Sequence, residues 1–97
     1  MLTIRHEPAA AAAFDAAQEE WEGADAVWRA MEWTLARDPI AGAPLNEAGT
    51  VRTYMIQGAQ SHNWPTLTVI YRIDTPKLIS IHDAKFEKAG FYKAGSA

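Results

Sequence analysis

Apolar and polar positions alternate along Leu2-Thr3-Ile4-Arg5-His6. That is the period of a strand with one buried face, and Pro8 ends it. The pattern then changes period. Ala9 to about Trp21 is rich in helix formers, and Phe14, Ala17 and Trp21 fall on one helical face until Gly23 interrupts them. A second helix is predicted from Ala24 to Arg37, with Ala24, Val27, Trp28, Met31 and Leu35 as its stripe. Pro39 stops it, because the residue before a proline is pushed out of the helical region. So short a connection favours an antiparallel helical hairpin. Asp38 to Gly49 reads as a loop, with Pro39, Gly42, Pro44, Asn46 and Gly49 as turn residues.

Period two returns at Thr50 to Gln57 and, most clearly, at Thr66 to Ile73. There Leu67, Val69, Tyr71 and Ile73 face one way and Thr66, Thr68, Ile70 and Arg72 the other. Between them, Gly58 to Pro65 is a polar connection. Asp74-Thr75-Pro76-Lys77 reads as a hairpin turn into a last strand, Leu78 to Asp83, with Ile79 and Ile81 on one face. From Ala84 the pattern predicts a tail carrying Lys85, Lys88, Lys93 and the aromatics Phe86, Phe91 and Tyr92. The fold class is therefore α+β, in the order β-α-α-β-β-β. A helical hairpin would cover one face of an antiparallel meander and leave the other partly open.

Composition narrows this. The chain has 97 residues, 48% of them hydrophobic and four of them Trp, enough for one domain with its own core. It has no cysteine, which removes disulfides and thiolate chemistry. No apolar run approaches the ~20 residues of a spanning helix, and no signal-peptide pattern opens the sequence. The expectation is a cytoplasmic protein without membrane contact. The formal net charge of −3 argues against general nucleic-acid binding. The distribution is uneven: residues 1–33 hold seven acids and two bases, residues 34–97 five acids and seven bases. Such asymmetry points to a partner on one side.

The motifs, in order, are Asp38-Pro39, Gly42, Pro44-Leu45, the Arg-bearing strand Val51-Arg52-Thr53-Tyr54, the strand Val69-Ile70-Tyr71-Arg72-Ile73-Asp74, and the apolar Leu78-Ile79-Ser80-Ile81. Together with the element order, this resembles the RelE/ParE toxin superfamily over nearly the whole chain. The resemblance implies the toxin of a type II toxin–antitoxin system. Its partners would be a cognate antitoxin and, as targets, ribosome and mRNA or DNA gyrase. RelE-like members are metal-independent endoribonucleases (mRNA interferases) that block translation. ParE-like members share the fold and poison gyrase. The alternative is a catalytically degenerate toxin-fold protein acting as a non-enzymatic interaction module.

Metal-free RNA cleavage needs a base for the 2′-OH, an acid for the leaving oxygen and cations for the phosphorane. RelE-like nucleases take these from sheet Arg and Lys residues and a C-terminal Tyr, Lys or His. Here the nuclease Arg position falls near Thr68, the Lys pair falls at Thr53 and Met55, and the Arg after the last strand falls near Ala84 or Lys85. The departures suit a ParE-like or weakened member as well as a nuclease. The candidate catalytic residues are Arg52, Arg72, His82, Lys85 and Tyr92. Arg52 could bind phosphate or an antitoxin carboxylate, or make a structural ion pair. Arg72 could be a solvated strand charge. His82 could act near neutral pH or be polar surface. Lys85 and Tyr92 belong to a basic, aromatic tail that suits nucleic acid or simply docks. His6, His62 and the acids show no metal-ligand spacing and there is no Gly-rich phosphate loop, so neither metal nor small-molecule cofactor is expected. Trp21 and Trp28 sit on core stripes. Trp33 lies well round the helix from its stripe, and Trp64 precedes Pro65 in a polar loop. Both are candidates for exposure at a protein interface, although for Trp33 cover by the 39–49 loop or the first strand is the other reading.

Overall fold

A computed structural model of the chain describes residues 2–89; the expected roles of Tyr92, Phe91 and Lys93 lie outside them. The elements are β1 (Thr3–His6), α1 (Pro8–Glu20), α2 (Ala24–Arg37), β2 (Ala43–Pro44), β3 (Val51–Ile56), β4 (Thr66–Thr75) and β5 (Leu78–Glu87). They form an α+β fold. The five strands make one mixed sheet in the order β1-β5-β4-β3-β2. β3, β4 and β5 run as the antiparallel meander that the alternation predicted. β1 pairs with β5 in parallel, Thr3 opposite Leu78 and His6 opposite Ile81, so the first strand closes on the last.

Local chemistry accounts for the boundaries. Pro8 occupies the first turn of α1, where its missing N–H is no loss, and the Ala-rich run propagates the helix. α2 carries Asp25 in its first turn and Arg37 in its last, each matched to the helix dipole, and Pro39 follows its C-terminal cap. Both helices lie on the same sheet face. α1 packs mainly on β5, and α2 on β1, β3 and β4. The core joins Ala10, Val27, Trp28, Met31 and Leu35 of the helices to Leu67, Val69, Tyr71, Ile79 and Ile81 of the sheet. No helix among the described residues is long and apolar enough to cross a membrane.

Two elements differ from expectation. β5 runs on to Glu87, so Ala84 to Glu87 is strand rather than tail, and Phe86 packs against the core. The register with β4 shifts between Ile70–Asp83 and Tyr71–Ile81, which leaves His82 as the extra residue of a β-bulge. The short β2 was not expected. It pairs Ala43 with Thr53 and Pro44 with Arg52 along the far edge.

The connection between β3 and β4 docks onto the helical turn. Gly23 N–H donates to Asn63 O at 3.1 Å. The Trp64 indole lies so close over Gly23 that an added Cβ would fall 1.7 Å from its Cδ1. Trp64 is still 40% exposed, so the ring is a lid over backbone and not a core residue. Gly23→Ala therefore expels the indole and loosens the loop. The expected loss is about 1–2 kcal/mol in urea denaturation. It should come with a red-shifted Trp64 emission, read as the difference from the Trp64→Phe background. An unchanged spectrum would show that the ring does not rest there.

Candidate functional site

Alternation sorts the expected site residues onto two faces. Away from the helices, the sheet presents Val51, Thr53 and Met55 of β3 beside Thr66, Thr68, Ile70 and Arg72 of β4 and Asp83, Lys85 and Glu87 of β5. Met55 and Ile70 are exposed there. Thr68, Ile70, Asp83, Ala84 and Lys85 line a shallow depression of about 170 Å³. Lys85 is opposite Thr68 and Arg72 is opposite Ser80. At ~3.3 Å per strand residue, these two cations project from points about 13 Å apart. Lys85 Nζ lies 3.6 Å from the Glu87 carboxylate. His82, half-buried in the bulge, lies along β5 between them.

At the β1 end of this face, Ser80 is buried beneath a polar network. Its hydroxyl donates to the Asp74 carboxylate and accepts from Arg5 Nη2 at 3.0 Å. Arg5 also approaches Asp74 at 3.8 Å and Glu7 at 3.9 Å. The network ties β1 to the β4–β5 hairpin.

Arg52 is on the helix-covered face, opposite Tyr71. Its guanidinium is taken up by backbone carbonyls: Nε donates to Gly49 O at 2.8 Å, and Nη1 to Gly42 O at 2.6 Å and Ile40 O at 3.3 Å. Tyr71 holds the same loop, with its hydroxyl donating to Pro39 O at 2.6 Å and accepting from Gly42 N–H at 3.1 Å. Gly42 is required at this approach, since a Cβ would sit 2.4 Å from Thr53 O. Arg52 and Tyr71 thus fasten the 39–49 loop to the sheet, and Asn46 closes its far end by accepting from the Thr50 and Val51 amides.

Burial pushes the Tyr71 phenol above its usual 10.0, against the opposing pull of the Gly42 N–H and of Arg52. Below pH 10 both folded and unfolded tyrosine are protonated. Above it the unfolded chain ionises first while the folded one keeps its proton, so stability falls as pH rises. Tyr71→Phe removes this alkaline loss, and with it two hydrogen bonds. At neutral pH it is expected to lower stability by about 1–2 kcal/mol. Urea midpoints from pH 7 to 10.5 check both: the wild type should fall more steeply above pH 10 than the variant, and parallel curves would contradict the assignment.

The sheet does not gather the candidates. Arg72, His82 and Lys85 are spread along β4 and β5, Arg52 is behind the sheet, and Tyr92 is outside the described residues. Among the described residues, no three His, Asp or Glu side chains cluster as a metal site would need. A different constellation lies on the helix side. His6 Nε2 meets Glu32 Oε2 at 2.7 Å, with the His6 ring set edge-on against Trp28 at 5.1 Å between centroids. Next to Glu32 on α2, Trp33 is 60% exposed and carries the Arg37 guanidinium 3.9 Å above its ring. The strand alternation that put Ile4 inward also puts His6 inward, and that was the available signal for the pair. The stacking of Arg37 on Trp33 follows from their i,i+4 spacing.

No family model matches the chain, and neither a curated protein nor a solved structure matches it.

Proposed function

We propose that the chain is the toxin of a type II toxin–antitoxin system of the RelE/ParE kind, and that it arrests growth by binding its target, as gyrase poisons do, rather than by cutting mRNA. Support for the first part comes from the succession of strand, two helices and antiparallel meander, with the short β2 added before the meander, and from the motifs from Asp38-Pro39 to Leu78-Ile81. The second part rests on one observation. Among the described residues the candidate cations are spread along the sheet, with Arg52 committed to loop carbonyls and about 13 Å separating the strand positions of Arg72 and Lys85. The broad face bearing Met55, Ile70, Arg72 and Lys85 suits contact with a macromolecule better than it suits a small substrate. A second reading, a non-enzymatic interaction module on this fold, is favoured by the exposed Trp33.

Inducible expression in a bacterial host, with and without the neighbouring gene, tests the proposal. The expected result is arrest that the neighbour relieves, with trapped gyrase–DNA cleavage complexes and intact mRNA. Ribosome-dependent mRNA breaks would overturn the binding-only mode. Normal growth at high soluble expression would favour the interaction module.

A further inference from the structure

Leu2 N–H donates to Ala36 O at 3.2 Å, and Thr3 N–H to Lys77 O at 2.9 Å. These two bonds draw the end of α2 and the β4–β5 turn against the start of β1. A depression of about 540 Å³ lies there, lined by Leu2, Ala36, Arg37, Pro39, Pro76 and Lys77. Its walls are firm. Two of the six residues are prolines, whose φ is fixed, and Lys77 N–H also donates to Thr75 Oγ1 at 3.1 Å.

Two cations and no carboxylate line this hollow. The Arg37 guanidinium lies 3.9 Å over the Trp33 ring, and its Nη1 donates to Trp33 O at 3.4 Å. Stacking holds the guanidinium plane and leaves its other edge donors to a ligand. Among the described residues neither Arg37 nor Lys77 meets a carboxylate within 4.0 Å. Arg5, Arg29 and Lys85 each have one. In a chain of net charge −3, two uncompensated cations on one hollow make a local field for an anion.

The hollow also says which anion. Two cations suit a dianion, and a phosphate monoester carries about −1.5 to −2 at neutral pH. Arginine binds phosphate as a fork and lysine as a point charge, so the pair supplies both modes. The volume exceeds what a bare phosphate fills. It falls within the range of small-molecule sites, about 300–1,000 Å³. The remaining walls are apolar: Leu2, Ala36 and the rings of Pro39 and Pro76. They suit a flat organic body attached to the phosphate.

We propose that this hollow binds a small phosphate monoester with a planar ring, of the nucleoside monophosphate class. Arg37 and Lys77 hold the phosphate, and the ring lies against Leu2 and the two prolines. None of Arg52, Arg72, His82 and Lys85 lines the hollow. The test reads binding and not growth, so its outcome is separate from that of the toxin reading.

The probe is adenosine 5′-monophosphate, titrated into the full chain and followed by calorimetry and amide chemical shifts. Adenosine and inorganic phosphate are the controls. The expected result is saturable binding that shifts the Leu2, Arg37 and Lys77 amides, with each control weaker by about ten-fold or more. Arg37→Ala and Lys77→Ala should each weaken the nucleotide by about ten-fold with the thermal midpoint unchanged. Five outcomes would each overturn the proposal. They are no saturation at millimolar nucleotide, adenosine binding as tightly as the nucleotide, wild-type affinity in both variants, or shifts confined to Thr68 and Lys85. The fifth is far tighter binding of a 5′-phosphorylated oligonucleotide, which would make a polynucleotide the occupant.

Discussion

Replacing Trp28 by Ala is expected to cost about 4 kcal/mol, enough to leave much of the protein unfolded in mild denaturant. The indole is 2% exposed and bears on three other rings. Phe14 stacks on it at 4.6 Å between centroids and 9° between planes, Phe86 lies at 5.9 Å, and His6 meets it edge-on at 5.1 Å. One side chain therefore joins α1, α2, β1 and β5. Truncation loses the burial of a large aromatic and leaves a cavity between rigid elements that cannot easily collapse. It also removes the surface against which His6 is held beside Glu32. Trp33→Ala, five residues on, is the internal comparison: an exposed ring should cost within about 0.5 kcal/mol. Urea denaturation of the two variants decides the matter. Equal losses would mean that the aromatic cluster does not organise the core.

The cluster shows where sequence reading reached and where it stopped. Trp28 was legible because Val27, Trp28, Met31 and Leu35 keep helical spacing and Pro39 marks the end, and α2 spans Ala24–Arg37 as the pattern predicted. Phe86 was not legible. Ile79 and Ile81 put the inward residues of β5 at odd positions, but the bulge at His82 moves them to even positions, Ala84 and Phe86. A period-two reading loses phase there, and Lys85, Glu87 and Lys88 around Phe86 then look like a solvated tail. β2 was invisible for another reason. Two residues, Ala43 and Pro44, carry no periodicity, and only their pairing with Thr53 and Arg52 defines them. Trp21, expected in the core, is half-buried at the C-terminal cap of α1, where the helical face ends. Of the candidate site, strand positions were legible and contacts were not. Parity alone sets Arg52 with Tyr54 and Ile56 on the helix side, apart from Arg72. No sequence rule names the three carbonyls that receive its guanidinium.

Those carbonyls make Arg52→Ala the second large effect, with an expected loss of about 3 kcal/mol. A planar, permanently charged fork reaches Gly49, Gly42 and Ile40 together. Bonds from a charged donor contribute about 1.5–3 kcal/mol each when buried, and the part-exposed position of Arg52 cuts their sum. Alanine leaves acceptors in the loop without a donor and strips Tyr71 of a neighbouring cation. Arg52→Lys recovers only part of the loss, because an ammonium cannot span three acceptors set around a fork. The comparison with Arg72→Ala and Lys85→Ala separates structure from function. Both are exposed strand cations, expected within about 0.5 kcal/mol of wild type. If the chain arrests growth, a loss of toxicity in Arg72→Ala or Lys85→Ala at unchanged thermal midpoint marks contact with the target. A loss in Arg52→Ala should instead track its lowered midpoint and return when a stabilising osmolyte refolds it. An Arg52→Ala protein as stable as wild type, yet inactive, would contradict the loop-clamp role and place the guanidinium at the target.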